Sequence, residues 1–392
     1  MITRIKHYSF RLTFSLVLCV LTLAAVVMAT PAWAETYGGQ AYAASVNAPT
    51  LGVAPVSLAD TGPLSSTGGW EGAGAPGGNV PGVLSANVLN ATTSGASGEA
   101  SSFASLADIT VFPGQAAQLT ASFVLAQSHA GIGGGVGSVQ IYDLMFGGLP
   151  VTISGLPNQT VSLPGVATLV INEQTISADG NNAVVNALRL TLVTGDGVTL
   201  ASASSQVSNP PLSTVGLSSD STSRSRSSHA TTSKRLSIAP AWASQCADFV
   251  TGGGWFEPPN STRPGRVNFG FNAGRRSENN LDLKGHVNLV DHGSGDHIEG
   301  TTVDTYFAYT GDPAHCRIFQ GNATLNGNPY RYQLSVCDYG EPGRDDRFNL
   351  CLSATDPSQC DVYQADNFDV YKPQFEGELD GGNIQLHKPA CP

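Results

Sequence analysis

Of the seven cysteines in this 392-residue chain, six (Cys246, Cys316, Cys337, Cys351, Cys360 and Cys391) follow residue 245. The seventh, Cys19, lies in an apolar run near the start. That run, from about Phe14 to Met28, follows Arg4, Lys6 and Arg11 and precedes Pro31-Ala32-Trp33-Ala34. A basic start, a short apolar middle and an Ala-x-Ala end read as a secretory signal cut after Ala34. Export places the other six thiols where disulfides persist, so an even set reads as a framework bracing one half of the chain. The C-terminus has neither an apolar tail nor a sortase-type motif, and release from the cell is the expectation.

Charge sharpens the contrast between the halves. From Glu35 to Ser208 there is one cation, Arg189, against nine acids; from Cys246 onward there are eleven Lys/Arg and twenty Asp/Glu. Two acidic surfaces exclude nucleic acid as a partner, because phosphate contacts need Lys and Arg. No second apolar stretch is long enough to span a bilayer.

Between the halves, Asn209-Pro210-Pro211 opens a Ser/Thr-rich run carrying Arg224, Arg226, Lys234 and Arg235. Such a composition buries too little apolar surface to offset its ordering entropy. The chain is therefore read as a signal (1–34), a cysteine-free domain (35–208), a flexible linker (209–245) and a disulfide-stabilised domain (246–392).

Both domains read as all-β, antiparallel and sandwich- or barrel-like. Leu188, Leu190 and Leu192 alternate with Arg189, Thr191 and Val193, the two-residue period of a strand with one buried face. The apolar run Val166–Ile171 reads as a strand covered on both faces. Ser138–Phe146 and Val151–Ile153 flank Gly147-Gly148 as a hairpin. In the second domain Asn326-Gly327 is the stronger hairpin signal. A two-residue turn there sets Cys316 opposite Cys337; a four-residue loop widened by Pro329 makes them diagonal neighbours. Either register keeps both on the face opposite Tyr330 and Tyr332. Of the fifteen pairings six cysteines allow, the nested set Cys316–Cys337, Cys351–Cys360 and Cys246–Cys391 is the working expectation.

Several stretches resemble the choice-of-anchor P family of secreted bacterial proteins. They are Gly39–Val46, Gly52–Pro55, Gly147–Val151, Pro157–Thr160 with Leu163-Pro164-Gly165, Ile171–Gln174 and Val185–Leu188. The second half is similar to the post-choice-of-anchor module that commonly follows, through Val250–Trp255, Asn268–Asn272, Gly285-His286-Val287, Asp291-His292, Cys337–Gly343, Asp346-Arg347-Phe348 and Gly381–His387. The resemblance implies a secreted protein and transfers no catalytic or binding residue.

Candidate sites are few. His286, His292 and His297, with Asp291, Asp296 and Glu299 alongside, are the ligand types of a zinc or calcium site, although their spacing fits no standard zinc template. Asp361, Asp366, Asp369, Glu376, Glu378 and Asp380 interleave with Tyr363, Phe368, Tyr371 and Phe375, residue types that hold calcium or a sugar. Asp345 and Asp346 are adjacent carboxylates, but glycoside chemistry needs carboxylates facing each other across a cleft. His315 beside Cys316 makes a thiol–imidazole pair only if that sulfur is free. The glycines from Gly131 to Gly137 lack the dinucleotide pattern, and no Gly-x-Ser-x-Gly elbow occurs. Asn90, Asn158, Asn260 and Asn322 begin glycosylation sequons. No catalytic residue and no cofactor is assigned. The expected function is that of a non-enzymatic extracellular structural or surface-interaction protein, meeting cell-wall glycan or another extracellular partner. A carbohydrate- or calcium-binding second domain is the alternative, and a glycoside hydrolase the third reading.

Overall fold

The computed structural model describes residues 35–131, 134–208, 248–258, 265–277, 280–367 and 378–387. The signal, the linker, Cys246, Cys391 and Asn260 lie outside the described residues, as do Asp369, Glu376, Phe368, Tyr371 and Phe375. The first half begins with β1 (Thr36–Ala48), β2 (Val53–Asp60), β3 (Gly69–Val80), β4 (Leu84–Ala96), β5 (Glu99–Val111) and β6 (Leu119–Gly131). It continues through β7 (Val136–Tyr142), β8 (Met145–Phe146), β9 (Leu149–Pro150), β10 (Gln159–Leu163), β11 (Ala167–Ile176), β12 (Asn182–Leu192) and β13 (Gly197–Ser208). The second half opens with β14 (Phe249–Phe256), β15 (Val267–Ser277), β16 (Asn280–Asp291), β17 (Asp296–Gly300) and β18 (Thr305–Ala308). It ends with β19 (Cys316–Leu325), β20 (Asn328–Cys337), β21 (Arg347–Ser353), β22 (Tyr363–Asp366) and β23 (Gly381–His387).

The chain is all-β, and every strand pairing is antiparallel. Three sheets result. The first runs β10-β11-β12-β13-β1-β2; the second holds β3 to β9, with β4, β5 and β6 at its centre; the third is the whole second half, from β22 at one end to β23 at the other. The first and second sheets enclose one core, containing Ala41, Leu89, Leu106, Val124, Leu169, Leu188 and Leu200. The third sheet curls around its own core, in which Phe256, Phe269, Phe271, Phe319, Phe348 and Tyr332 are buried. Phe269 and Phe348 stack there with centroids 4.3 Å apart.

Alternation in β12 holds: Leu188 and Leu190 are buried while Thr191 is exposed. The Asn326-Gly327 hairpin has its two-residue register, with Leu325 opposite Asn328 and Cys316 opposite Cys337. Both turn residues adopt positive φ, 51° and 83°, as a type I′ turn requires. The structure carries the disulfides Cys316–Cys337, with Cα atoms 4.1 Å apart, and Cys351–Cys360.

Two strand assignments are corrected. The run Val166–Ile171 is covered on one face only: Leu169 and Ile171 are buried, Thr168 is exposed and Val170 half-buried. In the first half the strands covered on both faces are β4, β5 and β6, built from Ala, Ser, Thr and Asn as much as from Leu and Val; in the second half β14 is covered likewise. The Gly147-Gly148 turn does join a hairpin, but its arms β8 and β9 are two residues each. Asp143 at φ 53° separates β7 from β8, and Val151–Ile153 is not a strand.

β4 and β5 also change faces midway. Leu84 and Ala86 belong to the first core and so do Leu89 and Ala91, whereas Val88 points the other way. On β5, Ile109 and Leu106 face the first core while Ala107 faces away. Val88 and Asp108 sit at these reversals with φ 50° and 51°, next to a register shift between Asn87 and Asn90. Bulges of this kind re-aim side chains, and these turn Asn90 and Ser105 toward the second half.

Candidate functional site

The second half docks on the exposed side of the middle sheet, and both belong to one compact unit. The docking face is the outer side of β14, β15, β16 and β23. Trp70 stacks on Phe249 at 5.0 Å, Phe249 stacks on His387 at 4.2 Å, and Trp70 Nε1 donates to the Arg275 carbonyl at 2.7 Å. A small apolar cluster of Val88, Phe103, Phe123, Leu125 and Val290 fills the middle. Beside it the fully buried Asn90 donates from Nδ2 to the Gly252 and Phe271 carbonyls at 2.9 and 3.2 Å. Asn272 Nδ2 donates in turn to Asn90 Oδ1 at 3.3 Å. Backbones approach closely, and a Cβ on Gly74 would fall 1.7 Å from His286 Nε2. Thr92 Oγ1, Ser105 Oγ, Asn268 Oδ1, Asn288 Nδ2 and His286 Nε2 are buried at this joint with no protein hydrogen-bond partner. The joint thus has the polar character of an interface between domains.

Charged groups lie on one flank. His292 Nε2 pairs with Asp108 Oδ2 at 3.1 Å, and Asn268 donates to the same oxygen at 3.2 Å. The hydrogen bond to Asp108 raises His292 above the usual imidazole value against the opposing effect of burial. Burial works to raise Asp108, but bonds from His292, Asn87 and Asn268, with the imidazolium charge, hold it below the ordinary carboxylate range. Arg266 reaches Asp143 at 3.3 Å and lies 4.0 Å over the Trp255 ring, whose edge meets Tyr142.

The three histidines read from the sequence as a metal set do not converge. His286 lies four residues along β16 from Val290, the partner of His297, which is about 13 Å at strand rise. Its ring packs against Gly74, and burial lowers it to about 4, so it is neutral. His292 is taken up by Asp108 and Asn268, and His297 stands exposed. Among the described residues no cluster of three or more His, Cys, Asp or Glu side chains could hold a metal ion. Trp70, Glu71, Asn272, Lys284, His286 and Thr302 line a cleft of about 530 Å³ at the edge of the joint, the size of a small-molecule pocket.

The adjacent carboxylates part company too. Asp345 is exposed; Asp346 is fully buried and accepts the backbone N–H groups of Tyr339 and Ile384 at 2.9 and 2.7 Å. Burial pushes Asp346 up to about 7, with Asp338 and Glu341 adding to the rise. On the end strand β23 the amides of Gly382, Ile384 and Leu386 are capped in succession by Gln140 Oε1, Asp346 Oδ2 and Asp338 Oδ2. An unpaired strand edge templates pairing with other chains, and here side chains block it.

Other candidates are structural as well. Tyr363 donates to Asp291, Glu378 pairs with Arg344, and Asp380 accepts the amide of Glu257. Cys316 is in a disulfide, so His315 has no thiol to activate; it bonds Asp312 instead. Asn90 is too deeply buried to carry a glycan, whereas Asn322 is exposed. Sequence reasoning missed the Arg317–Asp248 pair, at 2.5 Å, and the Tyr306 hydroxyl on the same carboxylate at 2.7 Å; no local pattern marks them. It also missed an exposed aromatic group near the first disulfide, Phe307, Tyr309 and Tyr339. Compared with known proteins, the chain matches no family model, no curated protein and no solved structure.

Proposed function

We propose that this chain is a secreted, non-enzymatic extracellular protein, structural or engaged in surface interactions, with its first 34 residues removed on export. The observation that carries the reading is where the polar groups at its joint and sheet edge go. Asn90, Asp108, His292, Asp338 and Asp346 all join sheets or cap a strand edge, which leaves them committed to architecture. Two disulfides suit an oxidising compartment, and among the described residues no helix is long and apolar enough to cross a membrane. The likeness to choice-of-anchor proteins supports the same reading. The test is a pull-down of the purified mature chain on cell envelopes of its own producer. Saturable retention supports a surface role, and failure to be retained at any concentration removes it.

A further inference from the structure

The aromatic rings that stand exposed among the described residues are gathered on the second half. Among the described residues, the large apolar side chains exposed on the first half are all aliphatic, such as Leu149, Leu156 and Val193. On the second half Phe307 and Tyr309 are each 46% exposed and Tyr339 36%. Strand register gathers these three. Phe307 lies opposite Ile318 on β19, the Tyr309 amide donates to the Cys316 carbonyl, and Cys316 lies opposite Cys337, two residues before Tyr339. The Tyr339 hydroxyl is 3.7 Å from Cys316 Sγ.

The two tyrosine rings are held, not merely stranded. The amide of Tyr339 is bonded to buried Asp346, its hydroxyl donates to Asp312 Oδ2 at 3.2 Å, and the Arg347 guanidinium lies 4.8 Å over its ring. Tyr309 lies over Gly311, where a Cβ would come within 2.6 Å of the ring. Asp312 also accepts from His315 Nδ1 at 2.9 Å, and the His315 ring is 5.2 Å from that of Tyr339. An aromatic plane fixed in advance loses little entropy on binding.

Flat rings rimmed by a carboxylate, an imidazole and phenol hydroxyls match one ligand chemistry well. A pyranose has an apolar C–H face and an edge of hydroxyls, so it needs a stacking surface and hydrogen-bond partners side by side. The net charge of −11 disfavours an anionic polymer. We infer that the face formed by Phe307, Tyr309 and Tyr339 binds a neutral glycan, sugar rings stacking on the tyrosines while Asp312 and His315 engage hydroxyls. The inference rests on the extracellular surface role proposed above and gives that role its ligand class.

The test is calorimetric titration of the mature chain, residues 35–392, with four neutral hexaoses: β-1,4-linked glucose, xylose, mannose and N-acetylglucosamine. At least one should bind, with Tyr309→Ala and Tyr339→Ala each weakening it tenfold or more, Asp312→Asn severalfold, and Leu149→Ala not at all. Silence with all four at millimolar concentration, or binding that survives both tyrosine variants, overturns the proposal. Thermal melts verify that the variants fold. If Tyr339→Ala does not fold, Phe307→Ala and Tyr309→Ala carry the test, because their half-exposed rings contribute little to the core. Retention on envelopes without hexaose binding overturns this site and spares the surface role; hexaose binding without retention does the reverse.

Discussion

Asn90→Asp exchanges one NH2 for an oxygen at a fully buried position and leaves volume unchanged. The wild-type amide donates to two carbonyls, at 2.9 and 3.2 Å, across the joint between the halves. An ionised carboxylate would point its oxygens at those carbonyls. It escapes by binding a proton, and from an ordinary carboxyl pKa near 3.9 this costs about 4 kcal/mol at pH 7. That figure caps the electrostatic penalty, because anything larger is avoided by protonation. The neutral acid has one O–H where the amide had two N–H groups, so one bond is lost, about 1 kcal/mol. The deficit at pH 7 is then about 5 kcal/mol, falling to about 2 kcal/mol at pH 4.5, where protonation costs under about 1 kcal/mol.

The sign follows from linkage. The new carboxyl has its pKa raised by folding, so the folded variant binds more protons than the unfolded one and regains stability as pH falls. Urea titrations of variant and wild type at both pH values measure the difference at each, which cancels titrations they share. Tryptophan fluorescence is a suitable probe, since Trp70 and Trp255 lie on opposite sides of the joint. A deficit that does not change with pH, or one under about 1 kcal/mol at both values, a single hydrogen bond's worth, would refute the buried amide contact described for Asn90.

Asp346, pushed up to about 7 by burial, should make wild-type stability fall as pH rises. Its contribution is complete below about pH 4, near the unfolded value, and gone above about 7, with a slope of at most about 1.4 kcal/mol per pH unit; Asp346→Asn should flatten urea midpoints over that range. Replacing Cys316 and Cys337 together by serine opens a bridge of sequence separation 21 and should cost about 3 kcal/mol, read from denaturant midpoints in the absence of reductant. A protease site introduced between Ser208 and Asp248 should, once cut, leave both halves eluting as one species in gel filtration, because the contacts from Trp70 to Phe249 and from Asn90 to Gly252 need no covalent tether; two separate peaks would show the joint too weak to hold.

Features whose cause is local were legible in the sequence. Asn326-Gly327 marks a turn that narrows the pairing to two registers, so the shared face of Cys316 and Cys337 could be read within 22 consecutive residues, and the structure takes the two-residue register. The leucines of β12 declare their buried face for the same reason. What could not be read depends on distant partners. Nothing near Val88 or Asp108 announces a bulge, and small polar residues in β4 to β6 do not advertise burial on both faces. His286 and His292 looked like ligands because their actual neighbours, Gly74 and Asp108, lie far away in sequence.

Four of the seven second-half stretches singled out in the sequence lie in the docking strands: Val250–Trp255 is within β14, Asn268–Asn272 within β15, Gly285-His286-Val287 within β16 and Gly381–His387 is β23. In each, alternate residues serve two cores. Val250, Phe269, Phe271, Val287 and Ile384 face the inside of the third sheet, while Gly253, Trp255, Gly270, Asn272 and His286 meet the first half. Glycine and asparagine normally weaken a strand, yet here they let two sheets approach and bond through side-chain amides. A Cβ on Gly253 would come within 2.3 Å of Ser105 Oγ, and one on Gly270 within 3.1 Å of the Asn90 and Val88 side chains. A strand surface of this composition has no use facing water. A chain carrying these four stretches therefore calls for a covering sheet that presents small residues and an amide where Gly72, Gly74 and Asn90 stand in this one.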